Sequence, residues 1–182
     1  MSDSCLLLID IQNDNGLTGE IVPEVAAAAQ KAKLALAAAR ERGMPIVHVR
    51  HENLEPDATA FLPETFGSRI HESVAPVPGE TVVIKHYPNS FRETGLAELL
   101  RGLGVEHAHV AGMMSYMCID ATVRAGWDLG FVFTLLHDAC AGRALVHEGK
   151  EIPAAMVHGA YMAALGRVFA KLMRVEDFVS GA

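Results

Sequence analysis

Short, solidly apolar runs alternate with longer amphipathic stretches along almost the whole of this chain. Residues 5–9, 46–49, 81–85, 106–111 and 131–136 are runs dominated by Leu, Val, Ile and Ala, with little polar alternation. Such runs predict strands covered on both faces rather than strands with one wet side. The stretch 22–42 is alanine-rich, carries Pro23 at its first turn, and stops at Gly43 with Pro45 beyond it, which predicts a helix. Shorter helical patterns span 95–102 and 119–129, a longer one spans 149–166, and 168–175 predicts a final strand. Between 51 and 78 prolines and glycines interrupt the pattern, predicting a long excursion with at most a short helix.

Strands and helices in alternation predict an α/β fold with a mostly parallel six-stranded sheet and helices on both faces, a three-layer α/β/α, Rossmann-like architecture. The 182 residues fit one domain spanning 1–182, with no repeat, linker or low-complexity segment. In sheets of this kind ligands bind beyond the carboxyl ends of the strands, so the polar residues found there are the first candidates for chemistry.

Three of them are chemically coherent. The first strand ends at Asp10, the third at Lys85, and the fourth leads through Gly112 to Cys118, six residues on. A thiol at a strand-to-helix turn lies near unpaired N–H groups at the positive end of a helix, which favours the thiolate. Lys85 supplies a cation to hold it, and Asp10 can take the thiol proton and return it to a leaving amine. Alternation along the strand should turn His86 away from Lys85, making it a surface or supporting residue. Each of the three also has a plain structural reading: a loop cap, a solvated strand end and a buried small hydrophobe.

Composition narrows the setting. The formal net charge of −7, with no Lys/Arg cluster, argues against nucleic-acid and anionic-membrane partners. Three cysteines without metal spacing predict no disulfide framework and no metal site, and fit a cytoplasmic location. The start Met1-Ser2-Asp3-Ser4 lacks the pattern of a signal peptide, and no apolar run is long enough to span a bilayer.

The chain resembles the isochorismatase-like cysteine hydrolases over nearly its whole length. The resemblance is carried by 6–14 (LLLIDIQND), 85–91 (KHYPNSF), 110–122 (VAGMMSYMCIDAT) and 137–141 (HDACA). It implies the fold described above and a triad of Asp10, Lys85 and Cys118. It also implies hydrolysis of a C–N bond in a small amide, ureide or lactam through an acyl-enzyme on the cysteine, with no cofactor. It further implies a non-proline cis peptide at Met113–Met114, and an oxyanion hole made by the N–H groups of Met114 and Cys118. The substrate contacts it suggests are Gln12, Tyr87, Phe91, Ser115 and Tyr116, with Gln12 and Asn13 also ordering the first loop. Members commonly form dimers or tetramers, which implies a homo-oligomer acting on a small molecule.

Two departures matter. The Asp-x-His metal motif of the nicotinamidases is absent from 50–57, which disfavours a catalytic metal and nicotinamide as substrate. The segment after Asp14 is short, so one pocket wall is expected to be open or supplied by another subunit. The rival readings are a non-catalytic small-molecule-binding member of the same fold and a redox-sensing thiol. Cys5 and Cys140 are expected to be buried neutral thiols.

Overall fold

The structure, a computed structural model, describes residues 3–181. The expectation about the first two residues, Met1 and Ser2, lies outside them. Six strands form a single parallel sheet. They are β1 (Ser4–Ile9), β2 (Ile46–His51), β3 (Thr81–Lys85), β4 (His107–Met113), β5 (Val132–Ala141) and, after a small hairpin, β8 (Lys171–Met173). Their order is β3-β2-β1-β4-β5-β8, and every neighbouring pair is parallel. The intervening hairpin pairs β6 (Leu145–His147) with β7 (Lys150–Ile152) in antiparallel register.

Residues of β1 show why this sheet must be covered twice. Leu6 and Leu8 point into a core closed by α1 (Pro23–Glu41) and α5 (Val175–Ser180). Cys5, Leu7 and Ile9 point into an opposite core closed by α2 (Leu96–Gly102), α3 (Asp120–Asp128) and α4 (Ala154–Val168). All five of these β1 side chains are buried, as the unbroken apolar run requires. The helix α1 presents a row of buried alanines to the sheet, including Ala28, Ala32, Ala35 and Ala39. Among the described residues no helix is long and apolar enough to cross a membrane.

The chain leaves β1 towards β2 and β3 on one side, then returns to lay β4 on the other. The strand order therefore reverses beside β1, and a crevice opens beyond the carboxyl ends of β1 and β4. The two strands approach closely there. Gly112, at φ 146°, pairs with Ile9, and a Cβ at this position would lie 1.9 Å from the Ile9 carbonyl oxygen. Only glycine fits.

Several boundaries differ from those read off the pattern. The helix expected from 149 starts at Ala154, because Pro153 caps it and residues before the proline pair into the hairpin. The last strand is three residues long, and α5 follows it. Strand β5 runs on to Ala141 through an irregularity: Val110 pairs with Leu135, whereas Gly112 pairs with Cys140. The excursion after β2 holds one 3₁₀ turn, Glu72–Val74, and an isolated bridge between Ile70 and Gln12.

Candidate active site

The carboxyl ends of β1, β2 and β3 deliver Asp10, His51 and Lys85 to one place. In the β2–β3 register His51 pairs with Lys85, so the lysine side chain reaches past β2 towards β1. Asp10 directly follows β1 with a left-handed φ of 52°, and the Asn15 side chain holds its carbonyl oxygen at 2.5 Å. Cys118 comes from the other side of the crevice. After β4, the Met113–Met114 peptide is cis, and Ser115–Ile119 forms a π-helical turn leading into α3. Within that turn the N–H groups of Met117 and Ile119 both donate to the Met114 carbonyl. The thiol therefore sits inside the first turn, not just before a helix as expected.

Lys85 is fully buried, and its ammonium faces three acceptors. Nζ lies 2.7 Å from Asp10 Oδ2, 3.3 Å from Cys118 Sγ and 3.4 Å from His51 Nδ1. An ammonium has three protons, so each finds a partner. The other carboxylate oxygen, Asp10 Oδ1, is buried with no hydrogen-bond partner. A carboxylate with one bonded and one open oxygen beside a thiol can accept that thiol's proton.

The electrostatics favour such a transfer over a resting thiolate. Burial pushes the Asp10 carboxyl above its ordinary range, outweighing the opposing pull of Lys85 and the thiol. Burial alone would lower Lys85, but the charge of Asp10, with Cys118, holds it above the ordinary lysine value and keeps it protonated. Cys118 is pushed up, first by burial and then by the Asp10 charge, with Lys85 opposing only in part. This corrects the expectation of a thiolate favoured by the helix end. A half-buried thiol loses more from desolvation than one helical turn returns, so the proton must leave with the chemistry.

Asp10 and Cys118 open onto a cavity of about 470 Å³. Of the expected substrate contacts, Tyr87 and Tyr116 lie in its wall, as does Met114. Gln12, Phe91 and Ser115 do not. The Gln12 amide is fully buried and used up by the Ser68 carbonyl and by the N–H and carbonyl of His51, so it braces the loops. Phe91 stacks on Phe131 in the core, ring centroids 5.6 Å apart. Ser115 is fully buried, and its hydroxyl meets His158 Nδ1 of α4 at 2.7 Å.

The wall also holds residues that the sequence pattern does not point to, among them Glu55, His51, Asn53, Phe61 and His86. His86 lines the cavity instead of facing away, because it lies one residue past β3, where strand alternation no longer applies. His51, Asn53 and Phe61 come from the end of β2 and the excursion, where the sequence offers no periodicity to follow. Phe61 lines the cavity on the side of the excursion. The short segment after β1 clips it in place: Phe61 N–H donates to Asp14 Oδ2 at 2.6 Å, and Asn13 Nδ2 donates to the Phe66 carbonyl at 2.7 Å. Among the described residues no group of three His, Cys, Asp or Glu side chains is placed to hold a metal ion. Cys5 and Cys140 are buried thiols, each pushed up to about 12 by desolvation.

Comparison with known proteins shows the family. The family model described as "Isochorismatase domain" matches residues 4–176. The chain is 46% identical over 179 residues to YddQ of Bacillus subtilis, an uncharacterized isochorismatase family protein, covering 97% of this chain and 98% of the relative. It is 37% identical over 150 residues to streptothricin hydrolase of Streptomyces noursei, covering 82% of this chain but 51%, about half, of that protein. A crystal structure of an isochorismatase-type hydrolase from Oleispira antarctica superposes with a TM-score of 0.92 at 42% identity, covering 98% of this chain and 96% of the other.

Proposed function

The chain belongs to the isochorismatase family and is a hydrolase, and from that premise we propose that it cleaves the C–N bond of a small amide, ureide or lactam through an acyl-enzyme on Cys118. Hydrolases of this family include amidohydrolases acting on non-peptide C–N bonds. The observation that carries the reading is the placement of Lys85 Nζ, 2.7 Å from Asp10 Oδ2 and 3.3 Å from Cys118 Sγ, behind the two residues that line the cavity.

The proposed reaction runs in two halves, acylation and then hydrolysis of the thioester. As a carbonyl carbon approaches, the Cys118 proton passes to the open oxygen of Asp10, and the sulfur forms its bond to carbon. Lys85 stays protonated and attracts the carboxylate before the transfer and the sulfur as it loses its proton. The carbonyl oxygen becomes an oxyanion held by the N–H groups of Met114 and Cys118. Groups of this type, set in place before the reaction, contribute on the order of 10²–10³ in rate each. The C–N bond then breaks as Asp10 returns its proton to the leaving nitrogen. A water molecule, giving its proton to Asp10, attacks the thioester, and the acid product leaves with Cys118 protonated again.

The protein is proposed to act on a small molecule in the cytoplasm as a homo-oligomer, a dimer or tetramer, a state that light scattering on the purified protein reads directly. The chemical test is to incubate the protein with a set of small amides and weigh it intact. An acyl adduct that maps to Cys118 is expected, and the Cys118→Ala protein should show neither adduct nor turnover. Full turnover by Cys118→Ala would sink the mechanism.

A further inference from the structure

Two histidines in the cavity wall are held in opposite tautomers by their partners, and neither is used by the steps above. His86 Nδ1 lies 2.8 Å from the Glu52 carbonyl oxygen. A carbonyl can only accept, so Nδ1 carries the proton and Nε2 is left as a bare acceptor. His51 Nδ1 lies 3.4 Å from the Lys85 ammonium. An ammonium can only donate, so this Nδ1 is the acceptor and the proton sits on Nε2. The outer nitrogens are thus one donor and one acceptor.

Both come from the carboxyl edge of the sheet. His51 ends β2 and pairs in register with Lys85, the residue just before His86. Both rings line the cavity that holds Asp10 and Cys118. The ring of Phe61 stands edge-on to His51, centroids 5.6 Å apart and planes at 80°, which fixes the imidazole's orientation. Among the described residues neither Nε2 has a hydrogen-bond partner. The wall contains no lysine or arginine, and its carboxylates are Asp10 and Glu55.

We propose that His51 and His86 form a donor–acceptor pair that reads a second amide edge of the substrate, a carbonyl oxygen next to an N–H, so that the preferred substrate is a compact neutral diamide or cyclic imide. His51 Nε2–H takes the carbonyl, and the His86 Nε2 lone pair takes the N–H. The scissile carbonyl is already committed to Cys118 and the oxyanion donors, so the edge read by the histidines belongs to a second amide unit. Burial, with Lys85 and His86 adding, holds His51 down to about 4, so its ring is a neutral donor at physiological pH. The inference rests on the cavity being the substrate site of the proposed hydrolase.

The test needs no turnover. Cys118 is alkylated with iodoacetamide in the presence of succinamide, of butyramide, which has one amide on a chain of the same length, or of N,N-dimethylsuccinamide, whose distal amide has lost its N–H. Protection is read by intact mass. Two neutral hydrogen bonds are worth about a factor of ten together, so succinamide should half-protect at about one-tenth the butyramide concentration. The dimethyl compound should need several-fold more than succinamide. In His86→Phe and His51→Phe the succinamide preference should shrink to about threefold or less, relative to each variant's own butyramide value. Equal protection by butyramide in the unaltered protein, or a preference that survives both substitutions, would overturn the pair's role. Either result leaves the hydrolase reading standing, because that reading fails only through turnover in Cys118→Ala.

Discussion

Strand β3 carries a buried carboxylate cluster at each end, built from similar parts and arranged to opposite effect. Just before the strand, Glu80 is surrounded: Arg40 Nε meets Oε1 at 2.7 Å, while Oε2 takes Arg40 Nη2 and the Val77 N–H, both at 3.0 Å, and His48 Nε2 at 2.8 Å. Burial alone would raise this carboxyl, but Arg40, the Val77 N–H and His48 together pull it down to about 2. At the far end Lys85 meets Asp10 through one oxygen only, and Asp10 Oδ1 is buried without a partner. There burial wins and the carboxyl is raised. An acid with both oxygens engaged is a structural clamp. One with an open oxygen against a thiol is a base.

The contrast predicts a large kinetic difference between two equally small changes. Asp10→Asn keeps the shape and removes the base, so kcat should fall by about 10²–10⁴. Glu80→Gln is just as conservative and should leave kcat within about twofold. In the unaltered enzyme the acid limb of kcat/KM should lie above the ordinary aspartate value of 3.8, because the group that must be ionised is raised. Comparable losses in the two variants, or an acid limb at or below that value, would erase the distinction.

Stability should respond the other way round. The Glu80 carboxyl is depressed from 4.5 to about 2 in the folded protein. A depressed acid stabilises the fold fully above its unfolded value, and the contribution is lost as pH falls through the folded value. At pH 7 Glu80→Gln should therefore cost about 2–3 kcal/mol in urea unfolding, near the top of what a partly screened network supplies. Between pH ~4.5 and ~2 the gap between the two proteins should close, because the wild type loses its advantage there. A gap that stays constant with pH would mean that Glu80 acts by packing alone.

The parts of this picture that the sequence shows are those set by short-range pattern. Unbroken apolar runs make strands, and the residues ending them, Asp10 and Lys85, inherit the sheet's carboxyl edge. Cys118 follows from the glycine at the end of β4. The parts that were hidden depend on partners far along the chain. Whether His86 is a donor or an acceptor at its outer nitrogen is decided by the Glu52 carbonyl, and for His51 by Lys85. Phe61 forms a wall because Asp14 catches its backbone across the fold. The acidity of Cys118 turns on burial depth, which a motif does not encode, and local helix-end reasoning alone points in the wrong direction. Gln12, Phe91 and Ser115 sit near the right residues in sequence but face other neighbours in space.

Ser115 allows the smallest and most selective test of the catalytic end of the sheet. Its hydroxyl ties the turn that carries Cys118 to His158 on α4, at 2.7 Å, and the serine is fully buried. Removing one partner of a hydrogen bond costs most when the other is left buried and dry. His158 is only half-buried, so water can take its Nδ1, and Ser115→Ala should lose only about 1 kcal/mol of stability. The kinetic effect should appear in kcat, about two- to fivefold down, because the thiol is less firmly placed against Asp10 and the carbonyl. KM should not change, since the hydroxyl is not in the cavity wall. If KM rises while kcat holds, Ser115 contacts substrate after all. The turn carrying the nucleophile would then differ from the one described, and the contrast between an anchored thiol and an open carboxylate would need redrawing.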